Sequence, residues 1–159
     1  MFRGAQPTSE GFAFLAKLGV KRVVDLRESG ARSKAEEKLV TADGMTYVNV
    51  PMTGLKAPTA MEVAKILGIL EDAAAGPVFV HCKRGADRTG AVIAAYRIDH
   101  NGWDNTRALQ EARALGMSPF QLPRQAFISA FQPTAIQANS APKSSVATAM
   151  PALILAPTH

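Results

Sequence analysis

Residues 78–100 read VFVHCKRGADRTGAVIAAYRIDH, and the change of texture inside this stretch decides the fold. Its first part completes the segment PVFVH (Pro77–His81), which is short, β-branched and aromatic, the pattern of a buried strand. Its last part, Thr89–His100, is apolar on most sides and is followed by Asn101-Gly102, the pattern of a central helix and its stop. Between them runs a basic loop with a glycine at Gly85 and the only cysteine of the chain at Cys82. In a loop so short the backbone N–H groups can converge on one point, and the following helix adds its own free N–H groups and the positive end of its dipole. That is a cradle for an anion such as phosphate, formed by Lys83, Arg84, Gly85, Ala86, Asp87 and Arg88. Arg88 can offer a bidentate fork to two phosphate oxygens. A thiol at the base of such a cradle has its pKa lowered to roughly 3.5–7.5, and a drop of about three units is worth roughly 4 kcal/mol in favour of the thiolate.

Outward from the loop, strands and helices alternate. VKRVVDLR (Val20–Arg27) and MTYVNVP (Met45–Pro51) read as strands. Helical patterns run over Ser9–Leu18 (apolar at Phe12, Leu15, Ala16 and Leu18), Arg32–Thr41 (charged and exposed) and Thr59–Ala75 (apolar at Met61, Ala64, Ile66, Leu67 and Leu70). Thr59 and Glu62 form a capping-box pair, Asp104 can cap a helix over Asn105–Leu115 that Gly116 closes, and Arg124–Phe131 is a last short helix. This alternation predicts an α/β layer fold with a mostly parallel sheet, and ligands in such sheets sit beyond the carboxyl ends of the strands, where Cys82 lies. From Pro133 to His159 the chain reads PTAIQANSAPKSSVATAMPALILAPTH, with one lysine, no acid and no aromatic. We expect a domain over residues 1–132 and a flexible tail over 133–159, because so little apolar surface cannot offset the entropy of ordering.

The 159 residues are 47% hydrophobic, enough for one domain with a core, and no segment has the length of an apolar membrane span. A single cysteine excludes an internal disulfide and a cysteine-based zinc site. His100 and His159 read as surface and tail residues that nothing pairs with a metal site. The net charge of +5 favours an anionic partner, but no basic surface interleaved with aromatics points to nucleic acid. The N-terminus lacks an apolar signal core, so a cytoplasmic monomer is expected, with export by a removed signal left open.

HCKRGADRTG, with Cys82, Arg88, the preceding His81 and the following Thr89-Gly90, resembles the signature loop of the cysteine-dependent protein tyrosine and dual-specificity phosphatases. The likeness runs over about Phe2–Phe131 and includes FRGAQPTSEGFAFLAKLGVKRVVDLRE and YVNVPMTGLKAPT, which resemble the opening and middle strand of small atypical members. It implies a three-layer α/β/α fold with a central sheet of four to five mostly parallel strands, and no metal or organic cofactor. It also implies hydrolysis of phosphomonoesters in a phosphorylated protein, or alternatively in a polyanionic phosphorylated small molecule such as an inositol phosphate. Cys82 would attack phosphorus, Arg88 and the loop amides would hold the oxygens, Thr89 would hydrogen-bond the sulfur, and His81 would stiffen the loop. A phosphate-binding module without turnover and rhodanese-type sulfur transfer are the competing classes. The family's aspartic acid is missing, for PMTGLKAP (Pro51–Pro58) has no carboxylate. Asp87 is the replacement expected, with Asp25 a weaker one and catalysis without a dedicated acid the alternative, at stake being about 10²–10⁴-fold in rate. Asp25 and Arg27 read as a buried ion pair, Tyr96 and Trp103 as core, and Arg3 and Gln6 as residues that can approach the loop.

Overall fold

The computed structural model describes residues 1–133 and the short strand Ile154–Leu155. In chain order the elements are β1 (Phe2–Gly4), α1 (Ser9–Lys17), β2 (Arg22–Asp25), α2 (Ala31–Ala42), β3 (Thr46–Asn49), α3 (Ala60–Glu71), β4 (Val78–His81), α4 (Asp87–Asp99), α5 (Asn105–Ala114), α6 (Leu122–Ala130) and β5 (Ile154–Leu155). The strands form one parallel sheet in the order β3-β2-β4-β1-β5. β4 therefore lies in the middle, between β1 and β2, and the chain that leaves it emerges at the centre of the sheet.

Alternation along the strands sets the layers. Val23 pairs with Phe79 and Val24 with Val80, so each strand sends one of these side chains to either face. Val23 and Phe79 pack with Phe12 and Leu15 of α1 and Val40 of α2. Val24 and Val80 pack with Ile66 of α3 and with Val92 and Ile93 of α4. Behind α4, Ala91, Ala94 and Ile98 meet Ala108 and Ala112 of α5 and Ile128 of α6. The result is the expected α/β/α arrangement. Full burial of each large apolar side chain contributes about 1.5–3 kcal/mol.

The caps follow the sequence. Thr59 Oγ1 accepts from the Glu62 N–H at 3.2 Å while Glu62 Oε2 accepts from the Thr59 N–H at 2.6 Å, and Asp104 accepts from the Arg107 N–H at 2.8 Å. Several expectations need correction. β1 is a strand that the short, glycine-containing FRG did not announce. The helix expected over Thr59–Ala75 breaks after Glu71, where Asp72 starts a separate 3-10 turn. Met61 is 81% exposed rather than on the apolar face, and Leu18 is also exposed. Trp103 and Tyr96 are half-buried, not core. Trp103 is covered by the Arg107 and Arg97 guanidinium groups at 3.8 and 4.9 Å. The expected flexible tail lies outside the described residues except for Ile154–Leu155, which pair with Arg3 and Gly4 of β1.

Candidate active site

The loop between β4 and α4 is built as a cradle. Gly85 has φ +70°, a left-handed conformation that glycine adopts without a Cβ penalty. The reason is visible in its neighbours: a Cβ there would lie 2.2 Å from the carbonyl carbon of Gly4 and 2.5 Å from the nitrogen of Ala5. The chain after β1 thus runs directly against the loop. Arg3, 2% exposed, donates from Nη2 to the Gly85 carbonyl at 2.8 Å and fixes the loop from behind. The Gln6 N–H donates to the Lys83 carbonyl at 3.4 Å. The N-terminal segment therefore does reach the loop, at both of the residues singled out in it.

Cys82 is 2% exposed. Burial works against its ionisation, but interactions with the Thr89 hydroxyl and N–H, the Arg88 guanidinium and the Arg84 N–H outweigh it and hold the thiol below its ordinary pKa. The Thr89 hydroxyl is itself buried and has no oxygen or nitrogen partner among the described residues, and it interacts with the Cys82 sulfur. Arg88 donates from Nη1 to the Leu26 carbonyl at 3.4 Å, which ties its guanidinium to the end of β2.

Under the cradle lies a buried charge network. Arg27 grips Asp25 with Nε and Nη2 at 2.9 and 2.7 Å, and Nη2 also reaches Glu36 Oε2 at 2.6 Å. The expected Asp25–Arg27 pair is therefore present, with Glu36 added to it. His81 Nε2 stands 2.8 Å from Glu36 Oε1. His81 also stacks on Phe79 with ring centroids 5.4 Å apart. Tyr47 donates to Asp25 Oδ2 at 2.8 Å. Burial opposes ionisation of Asp25, yet the Arg27 fork, the nearby His81 and the Tyr47 hydroxyl hold its carboxyl below the usual range. Asp25, Glu36 and His81 bring ligand atoms within 4.8 Å of one another. Arg27 already lies against both carboxylates, so a metal cation there would have to displace a guanidinium.

A cavity of about 460 Å³ opens at the cradle, lined by Lys83 and Arg88 together with Gln6, Gly54 and the run Arg27–Arg32, which joins β2 to the first turn of α2. Glu28 is the one carboxylate among its lining residues, and Glu28 Oε1 accepts from the Gly54 N–H at 3.3 Å. The Gly54 carbonyl accepts in turn from Arg124 Nη2 at 2.6 Å. Arg124, 1% exposed, also donates to Gln121 Oε1. Burial and the field of Arg88 hold the Arg124 guanidinium below its ordinary pKa, partly offset by Asp87 and Cys82.

Of the residues expected at the site, His81 ends β4, Cys82, Lys83, Arg84, Gly85 and Ala86 form the loop after it, and Asp87, Arg88 and Thr89 open α4. Asp87 is at the first helical position with both oxygens engaged: Oδ1 accepts from the Ser118 N–H at 2.9 Å, and Oδ2 pairs with the Arg84 guanidinium. Asp25 is fully buried beneath Arg27. His100 stacks on Tyr96, with Glu71 at 3.8 Å; His159 lies outside the described residues. Sequence reasoning missed Glu28, Glu36 and Arg124. For Arg124 a signal existed: a cation in the first turn of a helix opposes the macrodipole and needs another reason to be there.

A family model described as DSP-PTPase phosphatase fused to NAD+ kinase matches residues 1–130. The chain belongs to this phosphatase family. Among relatives within the phosphatase group, the dual specificity protein phosphatase TpbA of Pseudomonas aeruginosa is 33% identical over 118 residues, 70% of this chain and 49% of TpbA. The inositol diphosphatase SIW14 of Saccharomyces cerevisiae is 29% identical over 135 residues, 80% of this chain and 47% of that protein. The chain thus spans about half the length of these phosphatase relatives. The crystal structure of TpbA superposes with a TM-score of 0.67 at 29% identity, covering 80% of this chain and 78% of that one. The catalytic core of Siw14 gives 0.70 at 26% identity, again covering 80% and 78%.

Proposed function

We propose that this protein hydrolyses phosphomonoesters, phosphotyrosine first and phosphoserine or phosphothreonine besides, through a phosphocysteine intermediate. The observation that carries this reading is the place of Cys82: a buried thiol at the foot of the β4–α4 loop, its pKa held below the ordinary value although burial opposes this, because the Thr89 hydroxyl and N–H, the Arg88 guanidinium and the Arg84 N–H answer its charge. A thiolate so placed is a nucleophile at the foot of an anion receptor. Sulfur attacks phosphorus while the N–H groups of Lys83–Arg88 and the Arg88 fork hold the three other oxygens, and water then releases phosphate. Thr89 serves the sulfur as it leaves, and His81, fixed by Glu36 and Phe79, keeps the end of β4 rigid. A TpbA structure in complex with pTyr supports the choice of substrate. Cys82→Ser should abolish turnover of a generic aryl phosphate while the far-UV circular dichroism stays that of the wild type; retained turnover refutes the reading.

One observation favours a second substrate class. Arg32, Lys83 and Arg88 line the cavity against the single carboxylate of Glu28, while the Arg27 beside them is neutralised by Asp25 and Glu36. That surplus suits a ligand with several phosphates, and the relatives named inositol diphosphatases agree with it. Comparing kcat/KM on a phosphotyrosine peptide and on a polyphosphorylated inositol separates the two.

A further inference from the structure

The Pro51–Pro58 loop has no carboxylate to protonate the leaving oxygen, and Asp87 has both oxygens occupied. We infer that Glu28, from the β2–α2 connection, is the proton donor of the reaction, aimed by a loop that carries no acid of its own. The inference rests on the phosphatase reading above and adds a catalytic residue to it. Three observations support it. Glu28 lines the cavity that Arg88 and Lys83 also line, so its carboxyl shares the space a bound phosphoester occupies. Its Oε1 is held by the Gly54 N–H, which leaves Oε2 for the ester. Gly54 is in turn fastened through its carbonyl by Arg124, which is buried and forms no salt bridge among the described residues. A buried cation without a carboxylate partner is costly, and what partly compensates it here is the field of the cradle, Asp87 first and Cys82 after it. Arg124 is thus a positioning residue: it couples the Gly54 peptide, and through it Glu28, to the cradle.

The chemistry balances over one cycle. The Cys82 thiolate forms the S–P bond as the P–O bond to the leaving group breaks, and the proton on Glu28 Oε2 passes to the departing oxygen. Water then attacks phosphorus, its proton goes to the Glu28 carboxylate, the S–P bond breaks, and inorganic phosphate leaves with thiolate and acid restored. The charged groups facing Glu28 are Arg27 and Arg32 on its own connection, Lys83 and Arg88 from the cradle, and Arg124 behind Gly54; Asp25 and Glu36 are taken up by Arg27.

The test compares wild type, Glu28→Gln and Asp87→Asn on p-nitrophenyl phosphate, whose leaving group needs little protonation, and on phenyl phosphate, whose leaving group needs more. Glu28→Gln keeps an acceptor for the Gly54 N–H and removes the proton. It should erase the basic limb of the kcat/KM profile and slow phenyl phosphate about 100-fold, with p-nitrophenyl phosphate slowed less than about tenfold. Asp87→Asn should keep the basic limb. Arg124→Met should steepen the leaving-group dependence in the same sense as Glu28→Gln, which a merely structural arginine would not do. A Glu28→Gln enzyme with an intact basic limb and wild-type leaving-group dependence overturns the inference, as does loss of that limb in Asp87→Asn alone. A wild type without turnover on either ester brings down the phosphatase reading, and the acid with it; a wild type that turns over beside an unaltered Glu28→Gln profile brings down the acid only.

Discussion

Replacing Gly85 by alanine probes how the cradle is held. Two costs are separable. The first is conformational: φ is +70°, where an L side chain costs about 1–2 kcal/mol. The second is steric. The new Cβ would stand 2.2 Å from Gly4 C, 2.3 Å from Gly4 O and 2.5 Å from Ala5 N, all of them backbone atoms that cannot rotate away. Ordinary contact begins near 3.4 Å, so β1 and the loop must part by about 1 Å. Overpacking of that kind costs about 1–3 kcal/mol more. The separation also pulls the Gly85 carbonyl away from Arg3, which holds it at 2.8 Å. Together the two costs come to about 2–5 kcal/mol, a fall in Tm of roughly 10 °C for a domain of this size. A displacement of about 1 Å at catalytic groups lowers kcat/KM about 100-fold. Gly102 supplies the control: its φ is +67°, but nothing lies within 4 Å of a Cβ there. Gly102→Ala should therefore lose only about 1 kcal/mol and keep full activity. Calorimetry and aryl phosphate kinetics on both variants decide the matter. If Gly85→Ala matches Gly102→Ala in Tm and in kcat/KM, the contact between β1 and the cradle has no functional weight and the reasoning fails.

Three further outcomes follow from the site. Glu36→Gln leaves Arg27 and His81 with one buried charge fewer between them and should destabilise the protein by about 3 kcal/mol in urea unfolding; a loss below about 1 kcal/mol would speak against a coupled network. Asp25 has its folded pKa held below its unfolded value, so its contribution to stability is complete above about pH 4 and is lost as pH falls through the lower folded value. Asp25→Asn should remove that part of the acid dependence of unfolding, and an unchanged profile contradicts the assignment. Lys83→Ala and Arg32→Ala, at the cavity wall, should raise KM for a polyphosphorylated inositol about tenfold and for p-nitrophenyl phosphate less than about threefold. Equal effects on both substrates would remove the case for a multiply charged ligand.

The sequence announced what local rules govern. The strand–cradle–helix order around Cys82 was legible because the texture changes on either side of one glycine. Thr59 with Glu62, and Asp104, declared their helices because caps are short-range chemistry. Residues whose importance comes from distant partners were not legible. Glu36 sits in a helix of charged residues and looks solvated, yet it meets His81, 45 positions away, under the sheet. Glu28 reads as an ordinary loop acid until Gly54, 26 residues on, is seen to hold it. Arg124 reaches back 70 residues to the same glycine. β1 escaped notice because three residues carry no periodicity; only the parallel pairing of Phe2 with Phe79 makes them a strand. Asp87 illustrates the converse. Its place beside Arg88 is what suggests proton transfer, and only the fold shows that its oxygens also accept from the Ser118 N–H and the Arg84 guanidinium.

The central claim is that the sulfur of Cys82 takes a phosphoryl group. Mixing the protein with an aryl phosphate, quenching in acid within milliseconds and mapping the peptides by mass spectrometry tests it directly. One PO₃ group should appear on the peptide that carries Cys82, together with a burst of phenol equal to the protein present. The same quench of Cys82→Ser should give no burst and no adduct on that peptide. Turnover with the adduct on any other residue, or with no adduct and no burst under rapid quench, would contradict the claim.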